Sequence, residues 1–510
     1  MTRALLLVLA CAGAATRPEQ WAVSVLAAAI SFWGIGRMGV VVHRLMGTGV
    51  SPLIAQLSGI TSVATAQLTG FGLLTGTLAR WRVLPAMSLW QATKITGAVS
   101  VSFMTALATL AAAMLAATGP DIPFALPVAL AVLALVALIF GISVWRPRRI
   151  RHVRLPPVRA MGALLAFAAL DTAAAALALY ALLPAGAAPP PALFYAVFLL
   201  ALGAGLLGAT PGGVGPFELM FLACLPQIGE APLLAAIMGY RLVYFALPAV
   251  LAAGLLAAGP ALANRAAARP TPALRPVPTS PGRTLGAEAL GFTAARAEAG
   301  LMRQGEFDLL HDAWGRPVAL AAPTGQSLIM LSDPLSRERR PDEVLAALER
   351  AAYDRFLNPC VYKCGARTAV AARRSGWSVL PVAHEAWLDP ARFDLAVPAR
   401  RQLRRQLRNA QAAGVEVAEA GPRPPFAEMR RIAGEWAERR GVARGFSMGR
   451  FDPSYVAGQR VYLARHDGAL VAFVTLHEGW NQRALDLMCQ GDGAPQGSMH
   501  LLLAHAVEAA

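Results

Sequence analysis

The chain has 510 residues, a formal net charge of +16 at pH 7 and 56% hydrophobic residues. Its charge is unevenly spread, because residues 1–263 hold 14 Lys or Arg and 5 Asp or Glu, so about 7% of them are charged, against about 23% of residues 264–510. Soluble domains carry roughly 25% charged residues, which excludes an ordinary soluble domain for the first region and is typical of one for the second.

The composition predicts an N-terminal polytopic all-α membrane domain over residues 1–263 and a Pro/Arg-rich linker over residues 264–284. A cytoplasmic α+β domain is predicted to follow over residues 285–510. Residues 4–15 fit the start of a spanning segment better than a cleaved leader. Stretches long enough for the ~20 residues of a spanning helix, together with a weaker one at 51–78, predict about seven or eight helices. These stretches are 20–36, 88–118, 122–145, 158–183, 191–209 and 231–259.

Basic loops indicate the orientation of the membrane domain. Arg80 and Arg82, the run RPRRIRHVR (146–154) and Asn264-Arg265 are expected on the cytoplasmic side, because cytoplasmic loops carry an excess of Lys and Arg. The linker segment ARPTPALRPVPTSPGR (268–283) has five prolines and predicts a semi-extended spacer. Its arginines either contact anionic headgroups or are simply solvated. The second half is therefore predicted to lie in the cytoplasm.

Ionisable residues interrupt the apolar stretches. Asp171, Glu218 and Arg241 are costly within a bilayer unless they face a cavity or a partner. TPGGVGPFE (210–218) breaks a helix immediately before Glu218, and a broken backbone is tolerated at membrane depth where it lines a cavity. One interpretation is a polar path for an amphiphile. The other is an interfacial loop with Glu218 at a helix N-terminus, and the residues alone leave both open.

Periodicity and turn residues predict a mixed α+β second half with a central antiparallel sheet. Gly414 is expected to end the third of its predicted helices, and Asp467-Gly468 to form a hairpin turn. The predicted helices are 285–305, 341–356, 398–414 and 427–440, and the predicted strands are 318–323, 327–333, 379–389, the hairpin 461–479 and RALDLMCQ (483–490).

The helix 398–414 carries a basic face. Arg401, Arg404, Arg405 and Arg408 share one side at spacings i, i+3, i+4 and i+7. Such a face favours polyanion binding, with nucleic-acid phosphates and lipid headgroups as the two possible ligands. The alternative is an ordinary solvated charge run.

A second pattern is GFSMGRFDPSY (445–455), in which Gly449 and Pro453 flank Arg450 and Asp452. An arginine in a rigid loop can hold a phosphate or a carboxylate through two hydrogen bonds. Alternatively, Arg450 and Asp452 form a local ion pair that shapes the turn.

The stretch ALDLMCQGDGAPQGSMHLLL (484–503) predicts a strand, a turn and a helix, which is the layout of the coenzyme A loop in GNAT-type acyltransferases. Pro495 removes a backbone donor and Asp492 would repel a pyrophosphate, so another acyl donor is implied. Cys360 and Cys364 lie near His384, but no second ligand pair with finger spacing follows, so no metal site is predicted.

Several spaced motifs together resemble one family. In the second half these are Leu403-Arg404, FSMGRFD (446–452), Asp486-Leu487-Met488 and Pro495-x-Gly497-x-Met499. In the first half they are GFGLLTG (70–76) before Arg80-Trp-Arg82, and PGGVGPFE (211–218). The chain resembles the bacterial phosphatidylglycerol lysyltransferases, which are aminoacyl-phosphatidylglycerol synthases that double as lipid flippases.

The resemblance implies aminoacyl transfer from aminoacyl-tRNA to phosphatidylglycerol by a tandem of GNAT-like folds without a cofactor. It also implies a bacterial inner membrane location, movement of the product to the outer leaflet and resistance to cationic peptides. It assigns catalysis to Arg450, Asp452 and Asp486, substrate binding to Arg401, Arg404, Arg405, Arg408, Phe446, Ser447, Gly449, Met488, Pro495 and Gly497, and a lipid path to Asp171, Pro211, Gly212, Gly213, Glu218 and Arg241.

The chain departs from the family in two ways. Its membrane part is shorter than in the largest members, and it stops at VEAA, where the family continues, so a truncated product is expected. His466, His477 and His500 are available as general bases without one being favoured. Homo-oligomerisation and the identity of the amino acid stay open. The rival functions are a coenzyme A-dependent N-acyltransferase and a lipid transporter whose soluble half only binds anions.

Overall fold

A computed structural model describes residues 17–69, 72–118, 124–145, 155–184, 186, 188–208, 210–265, 274–276, 293–440 and 445–510. The chain divides into two compact units. The N-terminal unit takes its described residues from Met1–Arg269 with Asp354–Leu357, and the C-terminal unit from Pro270–Tyr353 and Asn358–Ala510. Several predicted features fall outside the described residues, namely 4–15, 70–71, the basic run 146–154, most of the linker 264–284 and the first part of the helix 285–305.

The described part of the N-terminal unit is helical. Five of its helices are long and apolar enough to cross a membrane, namely Pro18–Leu45, Leu89–Thr118, Ala125–Trp145, Val158–Tyr180 and the continuous helical stretch Glu230–Ala258, and Pro191–Leu207 is a shorter apolar helix. The weaker stretch 51–78 forms two helices, Pro52–Thr69 and Gly72–Val83. The helices are α1 Pro18–Leu45, α2 Pro52–Thr69, α3 Gly72–Val83, α4 Leu89–Thr118, α5 Ala125–Trp145, α6 Val158–Tyr180, α7 Pro191–Leu207, α8 Pro216–Cys224, α9 Glu230–Arg241 and α10 Leu247–Arg265.

Small residues let α1 approach two neighbours closely. A Cβ atom added to Gly36 would lie 2.6 Å from Cγ of Gln56 on α2, and one added to Gly34 would lie 3.2 Å from the carbonyl oxygen of Phe167 on α6. Helices within membranes pack through such small residues, because lipid gives apolar side chains no reason to associate. The close crossing brings the polar residues of α1 and α6 together inside the unit.

The predicted helix break is confirmed. A 3₁₀ turn at Pro211–Gly213 precedes α8, and Gly212, Gly213 and Gly215 have φ angles of 63°, 68° and 97°. These left-handed angles favour glycine because a side chain would clash with the backbone. A further irregularity is a π-helical turn at Leu242–Ala246 between α9 and α10.

The described part of the C-terminal unit contains two sheets. The first has the order β1-β2-β3-β4-β5, with β4 and β5 parallel, and the second is antiparallel with the order β6-β7-β8-β9. The strands are β1 Leu274–Pro276, β2 Asp308–His311, β3 Pro317–Thr324, β4 Ser327–Leu331, β5 Asn358–Tyr362, β6 Glu416–Glu419, β7 Arg460–His466, β8 Ala469–Glu478 and β9 Arg483–Gln490, and the helices are α11 Pro341–Asp354, α12 Ala366–Arg374, α13 Arg401–Ala412, α14 Phe426–Arg440, α15 Pro453–Val456 and α16 Ser498–Glu508.

Most predicted elements of this unit are confirmed. β3 and β4 pair as expected, α11, α13 and α14 occupy the predicted helices, and β9 adds to the β7–β8 hairpin. Asp467 and Gly468 have φ angles of 50° and 76°, as a two-residue hairpin turn requires. Gly414 follows α13 with a φ angle of 78°.

Three predictions for this unit are wrong in part. The described strands form two sheets rather than one central sheet. The sequence did not reveal the first sheet in full, because β2, β5 and β6 are too short to show a clear alternating pattern. Residues 379–389 are not a strand but a largely exposed irregular segment, since none of the described strands pairs with them and Pro381 lacks an N–H donor. The described end of the helix 285–305 is a 3₁₀ helix at Ala297–Gln304.

Candidate functional site

The Asp486 carboxylate anchors the loop 445–452. Asp486 lies on β9, its side chain is 3% exposed, and it accepts hydrogen bonds from three donors. These are the backbone N–H of Gly449 at 2.9 Å, the Tyr455 hydroxyl at 2.6 Å and Nε2 of Gln459 at 2.8 Å. A Cβ atom on residue 449 would lie 2.4 Å from both carboxylate oxygens, which explains the glycine. Asp486 therefore positions the loop from a buried site.

Glu306 holds the same loop from another side. Its Oε2 accepts the backbone N–H of Phe446 at 2.9 Å, and its Oε1 pairs with the guanidinium of Arg450. Of the two alternatives for Arg450, the local ion pair with Asp452 is not formed. Arg450 instead remains half-exposed and tied to a partner 144 residues away. No sequence pattern marks Glu306, so sequence reasoning missed it.

Asp452 begins the short helix α15. Its Oδ1 accepts the backbone N–H of Ser454 at 2.9 Å and of Tyr455 at 3.2 Å. The Ser454 hydroxyl also donates to it, and this bond, followed by the backbone bonds, holds the pKa of the carboxyl below its usual value. Asp452 is exposed, so its second oxygen can accept a hydrogen bond from a ligand.

Aromatic rings place the loop against the first sheet. Phe446 has a φ angle of 74°, and its ring centroid lies 5.2 Å from that of Phe307 and 6.1 Å from that of Tyr362 at the end of β5. Ser447 is partly exposed and Met448 is 55% exposed. The loop therefore lies where the two sheets of this unit meet. Met488, predicted to bind substrate, is 38% exposed on β9.

His477 is enclosed beside the loop anchor. Its side chain is 1% exposed, and its Nε2 lies 3.1 Å from the Tyr455 hydroxyl and 3.5 Å from Asp486. Burial, assisted by the charge of Arg303, lowers the pKa of His477 to about 4 against the opposing effect of Asp486. His477 is therefore neutral at pH 7 and packed into the network that holds the loop, whereas His466 is partly exposed and His500 is exposed.

The turn after β9 already uses several of its backbone donors. The amide of Asp492 donates to Glu435 at 3.4 Å, and those of Ala494 and Ser498 donate to carbonyl oxygens of the turn itself. Asp492 also pairs with Arg439 at 2.9 Å. Two carboxylates thus lie beside the amides that a pyrophosphate would need, which agrees with the loss of the coenzyme A signature.

Gly497 lies at the closest approach between two helices. Its φ angle is 94°, and a Cβ atom would lie 2.2 Å from the carbonyl oxygen of Gln406 on α13. Only glycine fits there, which gives Gly497 a structural reason in addition to the predicted binding role. Pro495 accepts the hydroxyl and the amide of Ser498 on its carbonyl oxygen and so helps to start α16.

The basic face of α13 is smaller than predicted. Arg404 is half-buried and donates to the carbonyl oxygens of Leu395 and Val397, the latter at 2.9 Å. This leaves Arg401, Arg405 and Arg408 exposed on the helix. The spacing of the arginines along the helix could not show that the preceding residues bend back and accept hydrogen bonds from Arg404.

In the N-terminal unit, four of the six predicted lipid-path residues line a cavity of about 330 Å³. Asp171, Gly212, Gly213 and Arg241 line it. Asp171 is 3% exposed and its Oδ1 accepts the hydroxyls of Ser31 and, at 3.3 Å, of Tyr244. The close crossing of α1 and α6 therefore creates a polar wall within an apolar unit. Tyr244 belongs to the π-helical turn, a feature frequent at functional sites.

Glu218 and Arg241 stabilise the broken segment. They form an ion pair, with Nε of Arg241 at 3.0 Å from Oε1 of Glu218. The second carboxylate oxygen accepts the backbone N–H of Gly215 at 2.8 Å, and Arg241 also donates to the carbonyl oxygen of Gly212 at 2.9 Å. Glu218 itself does not line the cavity; it orients Arg241, which does. Pro211 begins the 3₁₀ turn beside them.

Arg80 is a cavity residue that sequence reasoning placed in a cytoplasmic loop. It is 1% exposed, and its guanidinium donates to Thr96 at 3.1 Å and Ser58 at 3.3 Å, with Nε2 of His43 also at 3.3 Å. Within the described ranges no carboxylate lies within 4 Å of it. A buried arginine with neutral partners leaves its charge available to an anion entering the cavity.

Among the residues described, no three His, Cys, Asp or Glu side chains lie together as metal ligands. Cys360 and Cys364 are thiols whose pKa values are raised by burial. That the protein uses no cofactor stays a prediction.

Residues 311–510 match the model of the family described as "Phosphatidylglycerol lysyltransferase, C-terminal". An uncharacterised protein of Synechocystis is 28% identical over 208 residues, covering 37% of this chain and 64% of that protein. The phosphatidylglycerol lysyltransferase of Bacillus subtilis is 25% identical over 196 residues, covering 37% of this chain and 22% of that protein. The chain thus matches less than two thirds of the length of either curated relative.

Two solved structures are also similar. One is the C-terminal domain of a putative lysylphosphatidylglycerol synthetase from Agrobacterium fabrum, with 23% identity and a TM-score of 0.41 over 44% of this chain and 73% of that one. The other is L-PGS from Bacillus licheniformis, with 23% identity and a TM-score of 0.42 over 46% and 73%.

Replacing Gly497 with Ala is expected to destabilise the protein. The added methyl group meets a backbone carbonyl, and the φ angle is left-handed. Together these effects should lower the free energy of unfolding by about 1–3 kcal/mol. Thermal unfolding of the detergent-solubilised full chain measures the effect. Gly493→Ala is the matched control, since nothing lies within 4 Å of its Cβ position. Equal midpoints for the two variants would contradict the close approach.

His477 is expected to make stability depend on acid. The unfolded chain binds a proton on histidine near pH 6.5 and the folded chain near pH 4, so protons favour unfolding between these values. The stability is complete above pH 6.5 and falls as the pH drops, by an amount on the order of 2 kcal/mol at pH 5. Between pH 7 and 5, His477→Gln should therefore lose less thermal stability than the wild type. Replacement of the exposed His384 by Gln should leave the pH response unchanged, and the same loss in all three proteins would refute the effect.

Proposed function

Because residues 311–510 match the model of the phosphatidylglycerol lysyltransferase C-terminal family, we propose that this chain transfers an aminoacyl group to phosphatidylglycerol. The observation that carries the proposal is the family match, which includes the loop 446–452 and its anchor Asp486. We propose aminoacyl-tRNA as the donor. The two sheets would form a tandem of GNAT-like folds, an interpretation supported by the strand, turn and helix of β9 and α16.

The proposed reaction exchanges one ester for another. A glycerol hydroxyl of the lipid attacks the ester carbonyl carbon, the bond to the tRNA ribose oxygen breaks, and the hydroxyl proton passes to that ribose oxygen. No ATP is needed for this step. Catalysis then rests on positioning and on stabilising the oxyanion that develops at the carbonyl.

The geometry favours distinct roles for the three predicted catalytic residues. Arg450 is half-exposed and is held by Glu306, so it can orient a phosphate or the donor. Asp452 is exposed and suits the ammonium group of the aminoacyl moiety. Asp486 has its oxygens occupied by three donors, so its role is to position the loop rather than to contact substrate.

The turn 490–497 supports a donor other than coenzyme A. The amides of Asp492, Ala494 and Ser498 already donate to Glu435 and to carbonyl oxygens of the turn, so they are not free to bind a pyrophosphate. The exposed arginines of α13, Arg401, Arg405 and Arg408, would instead attract the phosphates of tRNA or of lipid headgroups.

We further propose that the N-terminal unit moves the aminoacylated lipid to the outer leaflet of a bacterial inner membrane, with the C-terminal unit in the cytoplasm. The cavity of that unit supports this proposal, since it offers two guanidinium groups, Arg80 and Arg241, and one carboxylate, Asp171. These charges match a headgroup that carries both a phosphate and an ammonium. The product lowers the negative charge of the surface and so weakens attraction of cationic peptides.

The transfer reaction is tested with membranes from cells that make the full chain. Labelled aminoacyl-tRNA is added with or without RNase, acyl-CoA is added separately, and the lipids are examined. Labelled phosphatidylglycerol that disappears with RNase supports the proposal. Labelling from acyl-CoA alone would support a coenzyme A-dependent acyltransferase, and no labelled lipid would support a transporter without enzyme activity.

Replacing Glu218 with Gln is expected to lower the outer-leaflet fraction of aminoacylated lipid without lowering its total amount. The amide retains the shape but removes the charge that orients Arg241 toward the cavity. A membrane-impermeant amine reagent on intact spheroplasts measures the fraction. Glu230→Gln, at the exposed start of α9, is the control. An unchanged fraction in Glu218→Gln would remove this segment from the path.

A further inference from the structure

A second concave site lies in the C-terminal unit, apart from the loop 445–452. It is a cavity of about 260 Å³ between the loop that follows β4, the start of α12 and the irregular segment that follows α12. Four arginines line it against a single carboxylate, that of Asp333. The arginines are Arg296, Arg337, Arg339 and Arg367. The size is near the lower end of the ~300–1,000 Å³ typical of ligand cavities.

Two of the four arginines have no anionic partner among the residues described. Arg367 donates only to the carbonyl oxygens of Arg337 and, at 3.2 Å, of Arg339, which are neutral groups. The guanidinium of Arg337 is exposed and makes no ion pair within the described ranges. Asp333 is itself satisfied by the Thr368 hydroxyl at 2.7 Å and by a backbone N–H at 3.0 Å. The cavity therefore presents uncompensated positive charge.

The other two arginines hold the wall in place. Arg296 pairs with Glu385 at 2.7 Å and with Glu298 at 3.3 Å, and Arg339 pairs with Asp312 at 3.3 Å. Their charges are compensated, so they contribute shape and hydrogen-bonding surface more than net charge. The site is thus a fixed concave wall with two available cations.

An exposed indole completes the cavity. Trp387 is 62% exposed, its Nε1 donates to Glu385 at 3.0 Å, and the guanidinium of Arg296 lies 5.2 Å from the ring centroid. An aromatic ring fixed beside arginines is the combination on which unpaired bases stack while their phosphates are neutralised. A lipid headgroup has no planar base to use the ring.

A neighbouring hollow extends the basic surface. It shares Pro341, Ala366 and Arg367 with the cavity and adds Arg340 and Arg374. Arg340 pairs with Asp342 at 2.7 Å, whereas the exposed Arg374 has no ion pair in the described part of the chain. More than one phosphate can therefore be contacted along the surface.

The cavity is close in sequence and space to the loop of the proposed acyl transfer. Tyr362 packs against Phe446 of that loop, and Gly365, three residues later, lines the cavity. Three residues of extended chain span at most about 10 Å. A strand of nucleotides bound in the cavity therefore has its end within reach of the loop.

We propose that this cavity binds a nucleotide of a single-stranded RNA end, with Trp387 as the stacking surface and Arg337 and Arg367 on the phosphates. The inference rests on the proposed function, in which the aminoacyl ester is carried on the single-stranded 3′ end of a tRNA. It assigns binding of the tRNA 3′ end to the part of the unit that contains the first sheet. The arginines of α13 then remain available to bind other phosphates of the tRNA or of the lipid.

The test uses the full chain in phosphatidylcholine nanodiscs and a fluorescein-labelled single-stranded RNA ending in CCA, with polarisation as the readout. Trp387→Ala should weaken RNA binding at least about fivefold, the lower end of the loss measured for one stacked base. Arg337→Glu should weaken it as well and reduce the salt slope by about 1. Trp314→Ala and Arg392→Glu are the controls, because Trp314 also lies under an arginine and Arg392 is 87% exposed, yet neither lines the cavity.

Equal losses in the controls, or wild-type binding in both test variants, would overturn the inference. It is also overturned if phosphatidylglycerol vesicles, rather than RNA, lose binding in the test variants, since the cavity would then be a headgroup site. Thermal unfolding checks that each variant folds. In the transfer assay, Trp387→Ala should raise the KM for aminoacyl-tRNA at least about fivefold and leave kcat near the wild-type value.

The two proposals can fail separately. RNA binding that maps to the cavity without any RNase-sensitive lipid product would refute the transfer reaction and leave the cavity in place. Normal transfer together with an unchanged KM in Trp387→Ala would refute the cavity alone.

Discussion

The hydrogen bonds to the Asp486 carboxylate are the constraint on which the C-terminal unit depends. One backbone amide, one phenol and one carboxamide converge on two oxygens that are almost removed from water. A buried carboxylate is costly unless such donors surround it, so the three groups and the charge require one another. Because Gly449 is one of the donors, the position of the whole loop 445–452 follows from this buried charge, and Glu306 then fixes the orientation of Arg450 within it.

Ionisable side chains within the N-terminal unit are also held by specific partners. Glu218 and Arg241 compensate each other, and Asp171 accepts hydrogen bonds from two hydroxyls, so these three ionisable groups all have a partner. Arg80 differs because its partners are neutral. The cavity beside these residues is therefore polar at a few fixed points and apolar elsewhere.

Local chemistry made part of this structure predictable. The hairpin at Asp467-Gly468, the end of α13 at Gly414 and the helix break at Gly212 all depend on backbone angles that the residues themselves favour. The contacts that define the sites do not. Glu306 meets Arg450 across 144 residues, and Arg404 turns away from its basic neighbours because the preceding chain folds over it. Arg80 was assigned to an exposed loop because a sequence shows that a residue is charged but not that it is buried.

The missing side chain at Gly497 has a mechanical consequence. Since the Gln406 carbonyl occupies the space that any Cβ would need, α13 and α16 touch backbone to backbone, without a deformable side chain between them. A movement of α13 would therefore be passed directly to the start of α16 and to the turn 491–497 that joins α16 to β9.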